Sequence, residues 1–179
     1  MALSKIDVAN MLTGATPAAN GGTGKTSTAG FIAQVISGGA TAAQTSNSTS
    51  YVDCTNMTVA ITPSATSSKI LCIVHAGNMS CGVNDADAIS FKILRASTSI
   101  YEVINANFRT NDDDVNSDHT FCVLDSPSST SALTYKLQFK NRQSNNIKIN
   151  ATDNTNSSIT VMEVLGWQMM INFVKQSQL

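Results

Sequence analysis

From Phe31 onward the chain repeats one rhythm: short apolar runs, several with alternate residues apolar, separated by turns rich in Ser, Thr, Asn and Gly. In "LTYKLQFK", Leu133, Tyr135, Leu137 and Phe139 share one face and Lys136, Gln138 and Lys140 the other, the period of a half-buried strand. "MTVAIT" groups Met57, Val59 and Ile61 in the same way, and "AISFKILR" sets Ile89, Phe91 and Ile93 opposite Lys92. "SKILCIVHAGNM" is apolar on both faces, which predicts a central strand covered on both sides. "HTFCVLD", "NIKINA" and "SSITVMEVLG" add further strands, and "WQMMINFV" alternates through Trp167, Met169, Ile171 and Phe173. "FIAQVIS", Phe31 to Ser37, fits a helix or a strand equally well. Eight or more short strands with turn signals between them predict an all-β, antiparallel fold. Two turns match each other, "TPSATSSKIL" from Thr62 and "SPSSTSALTY" from Ser126, each a Pro-Ser turn feeding a strong strand. Equivalent corners of two Greek-key halves would explain them, so the expected fold is a jelly-roll-like β-sandwich.

The first 28 residues break the rhythm. Gly14, Pro17, Gly21, Gly22 and Gly24 punctuate them too often for a helix or an inner strand, and large apolar side chains are few. The division that follows is an extended Gly-rich N-terminal arm over 1–28, ordered by a partner or not at all, and a β-sandwich module over 29–179. Within the module, 166–179 form an additional C-terminal strand. With 179 residues the chain has enough for one core plus a tail.

Composition narrows the function. Charged residues are only 13% of the chain, and Ser, Thr and Asn fill roughly a third of it, so the surface is polar but nearly neutral. A net charge of −1 supplies no electrostatic footprint for nucleic acid or an anionic membrane. No apolar run is long enough to span a bilayer as a helix, and "MALSKIDVANMLTG" lacks the apolar block of a signal peptide. Synthesis in a cytosol without export is the expectation. Cys54, Cys72, Cys81 and Cys122 form no C-x-x-C pair, which argues against zinc and redox sites. Cys72 and Cys122 sit in apolar runs and are expected to be buried, reduced thiols.

Several motifs raise specific chemistry. Ala19, Gly24, Lys25 and Thr26 nearly spell the phosphate loop G-x-x-x-x-G-K-[ST], and "FCVLD" ends an apolar strand in Asp125 as a magnesium-holding strand does. A true phosphate loop needs a buried strand before it and a helix after it. Gly14 and Pro17 occupy the place of that strand, so the segment reads as a structural arm. Asp112, Asp114, Asn116 and Asp118 alternate like the early ligands of a calcium loop. Ser117 stands where such a loop turns on glycine, and Val123 where it needs a bidentate Glu, so a solvated acidic loop is the preferred reading and calcium between subunits the alternative. His75 and His119 lack a supporting nucleophile motif and read as structural. Phe108 and Arg109 could tip a recognition loop, or Phe108 could anchor its own loop. No catalytic, cofactor-binding or metal-binding residue is assigned.

"LTGATPAANGGTGKTSTAG", Leu12 to Gly30, resembles an LTGxxPxANGGTGKTS-like segment that recurs in bacteriophage fibre proteins. "SYVDCTNMTVAITPSATSSKILCIV", "ISFKILRASTSIY", "LDSPSSTSALTYKLQFK" and "SSITVMEVLG" resemble a small β-rich module of marine and freshwater, cyanophage-like virion proteins. The resemblance implies a non-enzymatic tail-fibre or virion surface protein, a homotrimer held by its N-terminal arm to other virion proteins. Its distal β-sandwich would meet a host-surface glycan or protein. The chain has no extended repeat or coiled coil between arm and module, which favours a short fibre or spike, or a capsid decoration (cement or head-fibre) protein. A carbohydrate-binding or hydrolytic domain is the remote alternative, recognisable by paired carboxylates in a cleft.

Overall fold

Tyr135, Leu137 and Phe139 are wholly buried while Lys136, Gln138 and Lys140 are not, so the alternation in the sequence is that of a strand lying on a core. The computed structural model describes residues 30–81, 88–106, 115–151 and 156–166, and among them every regular element is a strand. The strands are β1 (Ile32–Ala40), β2 (Gln44–Ser46), β3 (Val52–Ile61), β4 (Lys69–Cys81), β5 (Ile89–Arg95), β6 (Thr98–Val103), β7 (Val115–Asp125), β8 (Leu133–Asn141), β9 (Ile147–Ile149) and β10 (Ser157–Val164). "FIAQVIS" thus resolves as strand, because β1 pairs along its length with β10. The run containing "HTFCVLD" begins earlier than its apolar residues indicate, at Val115.

Two sheets form. One sets β1, β10, β4 and β7 side by side, with β9 and β2 continuing beside the far end of β4; the other is β3-β8-β5-β6. Without the short β2 and β9, the eight long strands counted along the chain read 1-8-3-6 and 2-7-4-5. First pairs with last (β1/β10), second with seventh (β3/β8), third with sixth (β4/β7) and fourth with fifth (β5/β6), all antiparallel. That is one long two-stranded ribbon. Rolled up, it brings β10 against β4 and β8 against β5. The chain is an antiparallel jelly-roll β-sandwich.

The two Pro-Ser turns occupy the bend of this ribbon. Ile61 is opposite Leu133 on one side of the bend and Ile70 opposite Asp125 on the other, so residues 62–68 and 126–132 cross between the sheets side by side. Lys69 Nζ donates to Ser126 Oγ at 2.7 Å and ties the two crossings together.

Strand direction sorts the connections to two ends of the sandwich. At one end lie both Pro-Ser crossings, the Ala96–Ser97 hairpin, and the entry and exit of the module, where the Gly30 N–H donates to the Leu165 carbonyl at 2.7 Å. At the opposite end lie the connections β1 to β3, β4 to β5, β6 to β7 and β8 to β10. Asn150, in the left-handed region at φ 53°, stitches that end: its Nδ2 donates to the Ala40 carbonyl at 2.9 Å and its Oδ1 accepts from Ser157 Oγ at 2.8 Å.

Between the sheets, Ile70, Cys72 and Val74 of β4 and Ile159 and Val161 of β10 meet Val59, Ile61, Phe91, Ile93, Leu137 and Phe139. One open flank is closed by aromatic rings, Phe121 lying 5.5 Å from both Phe91 and Tyr101. The core therefore runs continuously from β1 to β7, as burial of one face per sheet requires.

Candidate functional site

Two polar networks hold the inside of the module at its bend. Glu163 is in phase with Ile159 and Val161, and its carboxylate is fully buried beneath the 62–68 crossing. It accepts from the Ser64 N–H and Ser64 Oγ, both at 2.6 Å, and from Gln34 Nε2 at 2.7 Å. Burial alone pushes this carboxyl up, but the hydrogen bonds together outweigh it and hold the pKa at about 2. Gln34 reaches Glu163 because a β-bulge between Ile32 and Gln34 turns it inward. At the neighbouring crossing, Arg95 Nη1 grips both Asp125 oxygens at 2.6 and 2.7 Å, and the buried Tyr135 hydroxyl donates to Oδ2 at 2.7 Å. Asp125, which ends "FCVLD", is thus a structural anion between two strands of the opposite sheet. Burial, then the bond to Asp125, drives the Tyr135 phenol above its usual range.

The outer faces of the two sheets differ in kind. On the second sheet, Asp53, Gln138, Lys92 and Glu102 form one row across β3, β8, β5 and β6. Its members bond to one another and to neighbours: Asp53 accepts from Lys136 and Gln138, and Glu102 accepts from the Tyr51 hydroxyl at 2.8 Å. Lys92 and Lys140 sit over the Tyr51 ring at 4.1 and 4.5 Å, a cation–π arrangement. The equivalent row on the first sheet is apolar throughout. Val35 is opposite Met162, Met162 opposite Leu71 and Leu71 opposite Leu124 across β1, β10, β4 and β7. Val35 and Leu124, at its two ends, are 55% and 57% exposed.

The residues singled out in the sequence fall as follows. Cys72 is buried as expected, but Cys122 is exposed. It lies on an edge strand that covers the core with one face only, His119, Phe121 and Val123 pointing inward and Cys122 outward between them. β4 is central, yet its outward residues Leu71, Ile73 and His75 are only half-buried among the described residues, so just one of its faces is fully covered. His75 bonds Thr120 on the outer face at 3.0 Å, while His119 faces inward, so the sheet keeps the two histidines apart. Burial lowers the His119 pKa, with Asp118 pulling the other way.

Asn116 and Asp118 stand on β7 and not in a loop, which corrects the acidic-loop reading for these two positions: strand alternation continues through them. Asp118 Oδ1 accepts the Asn78 N–H at 2.6 Å, at a bulge where Asn78 takes φ 38°. A shallow space of about 270 Å³ there is lined by Asn78, Asn116, Ser117 and Asp118, and among the described residues no three metal-binding side chains converge. Asp112, Asp114, Phe108, Arg109, the phosphate-loop-like Ala19 to Thr26, the 1–28 arm and the strand from Trp167 lie outside the described residues.

Sequence reasoning missed Glu163 and Arg95. A charged residue in the inward phase of "SSITVMEVLG" was the available signal for the first. Nothing local pointed to Arg95, whose partner is 30 residues away.

No protein-family model matches the chain, and no curated protein matches it. Among solved structures it is similar to the VP2 subviral particle of infectious bursal disease virus, with 9% identity and a TM-score of 0.42. The match covers 75% of this chain and 42% of that one, so the chain spans less than half of that protein's length. The jelly-roll assignment rests on strand order alone.

Proposed function

We propose that this chain is a non-enzymatic structural component of a phage virion, a short trimeric fibre or spike made in the bacterial cytoplasm. Its N-terminal arm holds other virion proteins, and its sandwich faces a host-surface glycan or protein. The observation that carries the reading is the sorting of the connections. The module is entered at Gly30, at the end of the two short crossings, whereas the β4–β5, β6–β7 and β8–β10 connections all lie at the opposite end. A module held from Gly30 presents those connections outward, and exposed connections on a rigid scaffold are where recognition is usually built.

The engagement of the carboxylates, buried at Asp125 and Glu163 and exposed at Asp53, Glu102 and Asp118, supports a structural role. Asp53, Glu102, Asp118, Asp125 and Glu163, the carboxylates of the described residues, each accept a hydrogen bond from within the module. Groups engaged in this way brace strands; a glycosidase pair needs two carboxyls facing one substrate. Jelly rolls serve capsids and lectins alike, so the fold does not choose between them; the arm's likeness to phage fibre segments does.

The test is a phage carrying the chain without residues 1–28. The truncated protein is expected to melt as the full chain does and to be missing from purified particles by mass spectrometry. Incorporation at normal copy number would overturn the arm as anchor. Light scattering of the full chain is expected to give a trimer, and a monomer at every concentration would remove that part of the reading. Antibody labelling of particles distinguishes a tail position from head decoration.

A further inference from the structure

The apolar row on the first sheet has no partner among the described residues, although "SKILCIV" carries the composition of a strand covered on both faces. Its apolar character continues on β1 and β10 toward the end where the module exits, since Ile32 and Val164 are paired in the next row and Ile32 is 55% exposed, while beyond Val164 that row passes to Lys69, bonded to Ser126. A contiguous apolar face on a protein whose other outer face is a charged row marks a site of contact.

We propose that this face is the docking site of the chain's own C-terminal segment, Trp167 to Val174, folded back in cis. β10 ends at Val164, and the chain leaves it at Gly166, against Ser67, at the border of the apolar rows. From Gly166 to the row of Leu124 the path is about 13 Å along the strands and about 10 Å across two of them, a diagonal of about 16 Å. Trp167, Met169, Ile171 and Phe173 present one apolar side in an extended chain and span about 20 Å. Length, starting point and chemistry all match the diagonal from Gly166 to Leu124. A tethered segment beginning at the border of its site also meets it at a high effective concentration, which favours the same chain over a second copy.

Cys122 supplies the reporter. It lies on β7 two residues before Leu124, opposite Ile73, and is exposed, whereas Cys54, Cys72 and Cys81 are buried. Burial pushes the Cys54 and Cys72 thiols up to about 12, so maleimide reads Cys122. In the full chain Cys122 is expected to react about tenfold more slowly than in a chain ended after Gly166. Trp167, the single tryptophan, is expected to be shielded from quenchers, with both effects independent of protein concentration. A full-length Val35→Gln, Leu124→Gln variant, altered only at positions more than half exposed, should expose Cys122 and Trp167 together while its thermal midpoint stays within a few degrees. Equal Cys122 reactivity in the full chain and in both variants overturns the proposal. Protection that disappears on dilution also overturns it, and assigns the face to a second copy.

Discussion

Replacing Glu163 by Gln removes one charge at the bend of the ribbon and leaves the side chain's size almost unchanged. The carboxylate takes three hydrogen bonds, two from Ser64 and one from Gln34, and Gln34 also donates to the Thr62 carbonyl at 2.7 Å. Its pKa falls from an ordinary 4.5 to about 2 in the folded chain. Because the folded value is the lower one, the folded state favours the ionised form. The stabilisation is complete above pH 4.5 and disappears as the pH falls to about 2. A drop of this size is worth about 3 kcal/mol at 1.36 kcal/mol per pKa unit. Urea unfolding of the parent and Glu163→Gln from pH 7 to pH 2 should therefore show a gap of about 3 kcal/mol that closes as the acid limit is approached. Asp53 and Glu102, whose carboxyls are also held low, titrate in both proteins and cancel from the difference. A gap that stays constant across the range would refute the assignment of the acid sensitivity to Glu163. So would the absence of any gap at pH 7.

Two further outcomes are expected. Arg95→Met should cost about 3 kcal/mol by leaving a nearly buried Asp125 without its cation, and adding Asp125→Leu should recover much of that loss; urea midpoints that simply add would contradict the pairing. Ala96, first of the two hairpin residues between β5 and β6, holds φ 51°, a conformation that favours glycine in this turn, so Ala96→Gly should stabilise by about 1 kcal/mol and raise the melting midpoint by a few degrees. A lowered midpoint would show that the turn prefers its alanine.

Alternation was enough to orient β3 and β8, because each of them buries one face and its side chains report which. The matching Pro-Ser turns, expected at equivalent corners of two Greek-key halves, lie side by side at one bend of the ribbon. What the sequence left open depends on partners distant along the chain. Phe31 to Ser37 became a strand through pairing with residues more than 120 positions later, and no local pattern carries that information. Cys122 looked buried because its neighbours are apolar, yet edge position and phase decided otherwise. Asp125 has the form of a metal-holding strand end, and only the approach of Arg95 and Tyr135 from the other sheet shows it bracing the bend instead.

The neighbouring positions of Gly30 and Leu165 have a mechanical consequence. Load applied between the chain before Gly30 and the chain after Gly166 enters the β1–β10 ladder at one end, and the Leu165 N–H to Phe31 carbonyl bond is among the first to feel it. Bonds loaded in that way break in succession, each contributing only about 1 kcal/mol, so the module peels open under a small force. Tension between Gly30 and the connections at the opposite end runs along the strands and strains many bonds at once. The module is therefore weak when its two ends are drawn apart and strong when it is pulled along its strands.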